Sequence, residues 1–107
     1  MSRIYRFDRF ELDADERTLR RDGESVPLQD LPLRLLVELV ERAPSLVGRD
    51  ELRDRLWQPG THLDVDASLN TAVARVREAL GDSAGRPSFV ETLPRRGYRV
   101  TAEVTSP

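Results

Sequence analysis

Apolar spacing changes twice along this chain, from strand-like to helical and back, and that order restricts it to an α+β fold. Near the start, Phe10 and Leu12 alternate with Glu11 and Asp13, a period of two that buries one face. Asp22-Gly23, between short segments at 18–21 and 24–28, signals a two-residue hairpin, because both positions tolerate positive φ. Residues 1–28 are therefore expected to form a four-stranded antiparallel sheet. Asp13, Asp15 and Glu16 in its middle turn have the spacing that opens a calcium loop. The glycine and distal glutamate of such a loop are missing, so the cluster is read as a solvated turn.

The helical stretch spans residues 30–81. Leu35, Leu36, Leu39 and Val40 place one apolar stripe on a helix over 30–43, with Pro32 tolerated in the first turn and Pro44 closing the segment. Leu52 and Leu56 at i, i+4 define a shorter helix over 49–56, with Gly48 as its N-cap and Gln58-Pro59-Gly60 after it. An irregular connection over 61–66 leads to the third helix, capped by Ser68 or Asp66. Its core stripe is Leu69, Val73, Val76 and Leu80, and Gly81 is placed to end it. At about 100° per residue, Thr71, Ala74, Arg75 and Glu78 project away from that stripe, with Asn70 and Arg77 on one shoulder. Residues 88–103 then read as a hairpin: 89–92 runs out and 98–101 returns around Pro94-Arg95-Arg96-Gly97. Three helices followed by a β-hairpin is the order of a winged helix-turn-helix, and 107 residues suit a single domain.

Charge has to be read by segment. The chain carries 17 arginines, no lysine and 19 acids, for a net charge of −2 and an isoelectric point of about 5.4, which opposes binding to a polyanion. Between residues 67 and 101, however, Arg75, Arg77, Arg86, Arg95, Arg96 and Arg99 face only Glu78, Asp82 and Glu91, a local excess of +3. The remaining eleven arginines and sixteen acids give −5. Since electrostatic attraction fades over about 8 Å at physiological salt, the local patch governs. The absence of lysine is read as coding bias. It leaves arginine as the cationic side chain for any DNA contact.

Other classes are excluded more directly. Without cysteine there is no disulfide, thiolate zinc site or cysteine nucleophile. His62, the single histidine, has no second imidazole to share a metal, so no metal or cofactor is expected. Asp64 and Asp66 precede a helix, where carboxylates ordinarily cap and complement the dipole. No nucleophile, base and orienting group can be assembled, and no enzyme is expected. Neither a membrane span nor a signal-peptide h-region is present, which is expected of a soluble cytoplasmic domain, and Thr105-Ser106-Pro107 is expected to lead into a linker.

Three motifs carry a family resemblance: Arg49-Asp50-Glu51-Leu52 through Leu56-Trp57; Ser68-Leu69-Asn70 through Arg75-Val76-Arg77-Glu78-Ala79-Leu80-Gly81-Asp82; and Phe89-Val90-Glu91-Thr92 through Arg95-Arg96-Gly97-Tyr98-Arg99. Together they resemble the DNA-binding domain of OmpR/PhoB-type transcriptional regulators. The variant Asp30-Leu31-Pro32-Leu33-Arg34-Leu35-Leu36 with Ser68-Leu69-Asn70-Thr71-Ala72-Val73 is nearest to the CadC-like branch. The resemblance implies sequence-specific binding of double-stranded DNA as a regulator's output domain, with the third helix in the major groove. Asn70, Thr71, Ala74 and Arg75 then occupy positions that reach bases or adjacent phosphates. Arg75 is the leading base reader, since a guanidinium pairs bidentately with guanine O6 and N7. Arg77 is expected on a phosphate. Arg49, Trp57, Thr92 and Tyr98 match backbone contacts, and Arg95 and Arg96 are expected at the minor groove or its phosphates. The 58–66 connection corresponds to a loop that touches RNA polymerase in some members, and paired copies on repeated half-sites are implied. Ala74 and Glu78 depart from the pattern, one lacking the usual long side chain and the other adding a negative charge. The residues also leave open a second function, a winged helix that docks a protein such as RNA polymerase or a sensor domain. The net charge of −2 and Glu78 favour it.

Overall fold

A computed structural model describes residues 3–58, 60, 64–82 and 89–106. His62, Arg86, Ser88 and the first half of the 61–66 connection lie outside them. The first layer is an antiparallel sheet of β1 (Ile4–Phe7), β2 (Phe10–Asp13), β3 (Thr18–Arg21) and β4 (Glu24–Ser25), in that spatial order. The β3–β4 turn takes the anticipated form, with φ of 51° at Asp22 and 84° at Gly23. Phe7, Phe10, Leu12 and Leu19 bury the inner face. In the acidic turn, Asp13 Oδ1 accepts from the backbone N–H groups of Asp15 (3.0 Å) and Glu16 (2.9 Å), so this carboxylate organises the turn itself. Near the other end of the chain, Thr105 exchanges two 2.8 Å backbone hydrogen bonds with Arg6 and covers part of the β1 edge.

Helix α1 (Asp30–Glu41) follows. It ends two residues before the expected position 43, because Ala43 precedes a proline and its helical conformation is sterically disfavoured. Its buried face is wider than the stripe read from sequence, comprising Pro32, Leu33, Leu35, Leu36, Leu39 and Val40. The width follows from its position, since α1 packs on α2 (Arg49–Leu56), α3 (Val65–Leu80) and a strand of the second sheet. Leu35, Leu36 and Leu39 are wholly enclosed, each burial contributing about 1.5–3 kcal/mol.

The start of α3 corrects the expected cap. Asp64, not Ser68 or Asp66, is the N-cap, and its Oδ1 accepts from Ala67 N at 3.1 Å. Asp66 occupies the first turn, where its charge complements the dipole. At the other end Gly81 takes the left-handed conformation (φ 68°) as expected.

The second sheet holds a strand that periodicity did not reveal. β5 (Val47–Gly48) pairs with β7 (Gly97–Val100), which pairs with β6 (Val90–Leu93), in the order β5-β7-β6. The wing strands sit one residue from their expected bounds, around a three-residue turn in which Arg95 has φ 66°. Phe89, just before β6, meets Phe10 edge-on at 5.5 Å and Phe7 at 6.1 Å, tying the base of the wing to the first sheet.

A polar clasp holds β1 against the end of α1. Arg3 donates from its backbone N–H (2.5 Å) and Nε (3.2 Å) to Asp15, while Arg3 Nη1 and Tyr5 Oη each donate to Glu41 at 2.7 Å. Burial, aided by the bond to Glu41, pushes the Tyr5 hydroxyl above its ordinary pKa. The Arg3 backbone hydrogen bond, followed by its side-chain bond, holds the Asp15 carboxyl below its ordinary value. A depressed carboxyl stabilises the fold above its unfolded pKa and loses that contribution as pH falls through its folded value. Asp15→Asn should therefore melt below the parent at pH 7, and the gap should close as pH falls below about 4 in a thermal series. A gap independent of pH would show that Asp15 carries no proton linkage.

Candidate nucleic-acid interface

Along α3, Leu69, Ala72, Val73, Val76 and Leu80 are buried, while Asn70, Thr71, Ala74, Arg75 and Glu78 are exposed. This is the helical arithmetic of a stripe against α1: what does not face the core faces solvent. Arg75 Nη1 lies 3.1 and 3.0 Å from the two oxygens of Glu78, one turn on, with both side chains more than half exposed. An exposed i, i+3 pair of this kind is worth a few tenths of a kcal/mol, so little holds the two side chains together.

Three candidate residues meet at one junction. Arg49, the first residue of α2, directs Nη1 to Asn70 Oδ1 (3.1 Å) and Tyr98 Oη (2.5 Å), and Nη2 to the Asp66 carboxylate (3.5 Å). Its guanidinium carbon also lies 5.7 Å from the Tyr98 ring centroid. Tyr98 is 4% exposed, with its hydroxyl 3.4 Å from Asn70 Oδ1. The junction joins the start of α2, the first half of α3 and the middle strand of the wing sheet.

Arg77, expected on a phosphate, has protein partners in the structure. Its Nη2 donates to Val90 O (3.2 Å) and Thr92 Oγ1 (2.5 Å), fastening α3 to β6. From the end of α3, Asp82 Oδ2 accepts from the backbone N–H groups of Phe89 (3.3 Å) and Val90 (2.9 Å). Asp82 was not singled out in the sequence, because one carboxylate after a helix carries no signal of its target. Within the wing, Arg99 pairs with Glu91 at 3.1 Å across the strands. Arg95 and Arg96 are exposed at the tip and have no ion-pair partner among the described residues. Trp57 ends α2 half-buried, packed against the core.

Of the wing residues, Gly97 is the most constrained. A Cβ there would lie 2.0 Å from Val47 O, and φ is 152°. Backbone approach this close requires glycine, as a glycine within a strand often signals.

A helix-turn-helix flanked by a β-ribbon defines a winged helix. The chain belongs to the family described as transcriptional regulatory protein, C terminal, whose model matches residues 23–100. It is 36% identical over 105 residues to the cholera toxin homolog transcriptional activator of Vibrio parahaemolyticus, covering 92% of this chain and 36% of that protein. The chain spans about a third of the length of such curated relatives. The RstA DNA-binding domain of Klebsiella pneumoniae, solved in complex with the RstA box, superposes with a TM-score of 0.77 at 28% identity, over 91% of this chain and 95% of that one. The DNA-binding domain of Escherichia coli CadC shares the fold, with a TM-score of 0.80 at 21% identity over 98% and 97% of the two chains. Among the described residues, no helix is long and apolar enough to cross a membrane.

Proposed function

We propose that this chain is the sequence-specific, double-stranded DNA-binding output module of a transcription regulator, acting as one winged-helix unit over residues 1–107 and without catalysis. The observation that carries this reading is the exposed face of α3, Asn70, Thr71, Ala74 and Arg75, held beside the Arg95–Arg96 tip through the Arg49–Tyr98 junction. Major-groove reading needs side chains projecting from a helix, and the adjacent ribbon supplies backbone contacts. Arg75 reads guanine, while Thr71 and Ala74 approach bases or thymine methyls. Arg49, Trp57, Thr92 and Tyr98 flank the backbone, and the wing-tip arginines engage phosphates or the minor groove. Arg77 acts mainly by setting the wing angle.

The charge inventory bears on stoichiometry. Arg49, Arg75 and Arg99 already face carboxylates and Arg77 is engaged with Val90 O and Thr92 Oγ1, which leaves Arg95 and Arg96 at the wing tip as the uncommitted cations among the described members of the set. A single copy therefore binds weakly, and paired copies on repeated half-sites supply useful occupancy. The 58–66 connection is the proposed contact with RNA polymerase, and the module works in the cytoplasm, where DNA is accessible.

Gel-shift titration at two salt concentrations tests the reading. If five arginines of one copy neutralise phosphates, log K falls with log salt at a slope of about −4.5. Arg75→Ala should remove site preference, worth about 1–3 kcal/mol at the base it reads. Arg96→Ala should weaken all duplexes alike and lower the slope by about one. Parent-like binding by both variants overturns the assignment of α3 and the wing. No duplex affinity at low salt, together with a stable protein complex, selects the protein-docking function.

A further inference from the structure

The Arg49–Tyr98–Asn70 junction limits what Asn70 can say to DNA. A carboxamide has an oxygen with two lone pairs and a nitrogen with two hydrogens, whereas guanidinium has donors only. Arg49 therefore fixes the orientation of Asn70: Oδ1 must face the guanidinium, and Nδ2 must point elsewhere. Oδ1 accepts from Arg49 Nη1 at 3.1 Å, and the Tyr98 hydroxyl stands on its other side at 3.4 Å, a long and weak contact. That hydroxyl accepts from Arg49 at 2.5 Å and so has its proton free to donate to Asn70. The cycle is closed, and Tyr98, 4% exposed, has little room to leave it. Asn70 itself is exposed on the solvent side of α3.

We propose that Asn70 contacts DNA as a donor only, through Nδ2, and that its partner is a hydrogen-bond acceptor: a phosphate oxygen, or an acceptor atom on a base edge such as guanine O6 or N7 or thymine O4. Asparagine ordinarily reads adenine bidentately, accepting from N6–H while donating to N7. Here the accepting half of that pair is occupied by the protein. Arg49 and Tyr98 thus act as positioning residues that remove bidentate adenine readout from Asn70. The inference rests on the DNA-binding reading above.

The test starts from duplexes recovered by the parent protein from a randomised library. Parent, Asn70→Ala and Asn70→Asp are titrated on the recovered duplex. Asn70→Asp keeps an oxygen for Arg49, so the junction persists, but it turns a second acceptor toward the DNA. The expected result is about a tenfold loss or more for Asn70→Ala, where the upper range of a neutral hydrogen bond meets the lower range of one to a charged phosphate, and a clearly greater loss for Asn70→Asp, where acceptor meets acceptor. On single-site analogues, removal of one acceptor should weaken the parent while leaving Asn70→Ala unaffected. Methylphosphonate substitution identifies a phosphate partner, and 7-deazaguanine or another acceptor-deleted base identifies a base partner. Three results overturn the proposal: Asn70→Ala binds like the parent, Asn70→Asp binds as well as Asn70→Ala, or the sensitive atom is the adenine amino group, shown by replacing adenine with purine. Failure of the parent to recover any duplex is a separate outcome. It overturns the DNA reading and this inference with it.

Discussion

Replacing Gly97 by alanine is expected to destabilise the protein by about 3 kcal/mol or more, among the largest effects of a single methyl group. The added Cβ would sit 2.0 Å from Val47 O and 2.9 Å from Gly48 Cα, both backbone atoms that no rotamer change can move. The φ of 152° adds strain for any L side chain. To accommodate the methyl group, β7 must draw away from β5, breaking the Gly48–Gly97 and Val47–Tyr98 pairing. Urea or thermal unfolding should show the loss, at about 4–8 °C per kcal/mol for a chain of this size. Because Tyr98 follows Gly97, the displacement also opens the Arg49 junction, so folded Gly97→Ala should bind DNA more weakly than the parent. A midpoint within a few degrees of the parent would mean that the sheet can absorb the methyl group.

Arg77→Met separates two roles that one arginine can play. In the structure its guanidinium spans from α3 to Val90 O and Thr92 Oγ1. Charged hydrogen bonds contribute about 1.5–3 kcal/mol each, but Arg77 Nε is buried without a partner among the described residues, which offsets part of that gain. A net loss of about 2 kcal/mol on denaturant unfolding is the expected balance. Methionine keeps the packing of the methylenes, so the loss reports the polar fastening. For DNA, a loosened wing weakens binding with little change in salt slope, whereas a lost phosphate contact lowers the slope by about 0.9. Unchanged stability with a shallower slope would return Arg77 to the phosphate role that the family resemblance implied.

Several features of the fold and of the interface were legible in the sequence, most of them because their cause is local. The stripe of Leu69, Val73, Val76 and Leu80 dictates which residues α3 exposes, whatever it packs against. Asp22-Gly23 specified its own turn, and Gly81 its own left-handed cap. Segmental charge reversed the objection raised by an isoelectric point of 5.4, since the acids concentrate outside α3 and the wing. Glu78 stands three residues after Arg75, a spacing at which side chains on one helix face can meet.

What the sequence by itself determined about this protein is the order of its elements, the faces they bury and the pool of arginines beside an exposed helix. All of these follow from φ/ψ preferences and periodicities that extend over a few residues. Only the tertiary structure decided how those arginines are used. Arg49 became the hub of a junction with Asn70 and Tyr98, 21 and 49 residues away along the chain, and Arg77 became a fastening for β6. The strand at Val47–Gly48 exists because β7 offers it a hydrogen-bonding edge, which two residues cannot announce on their own. Local spacing sets which way a side chain points. Which partner it finds there depends on distant backbone, through hydrogen bonds whose geometry is settled only when the layers pack.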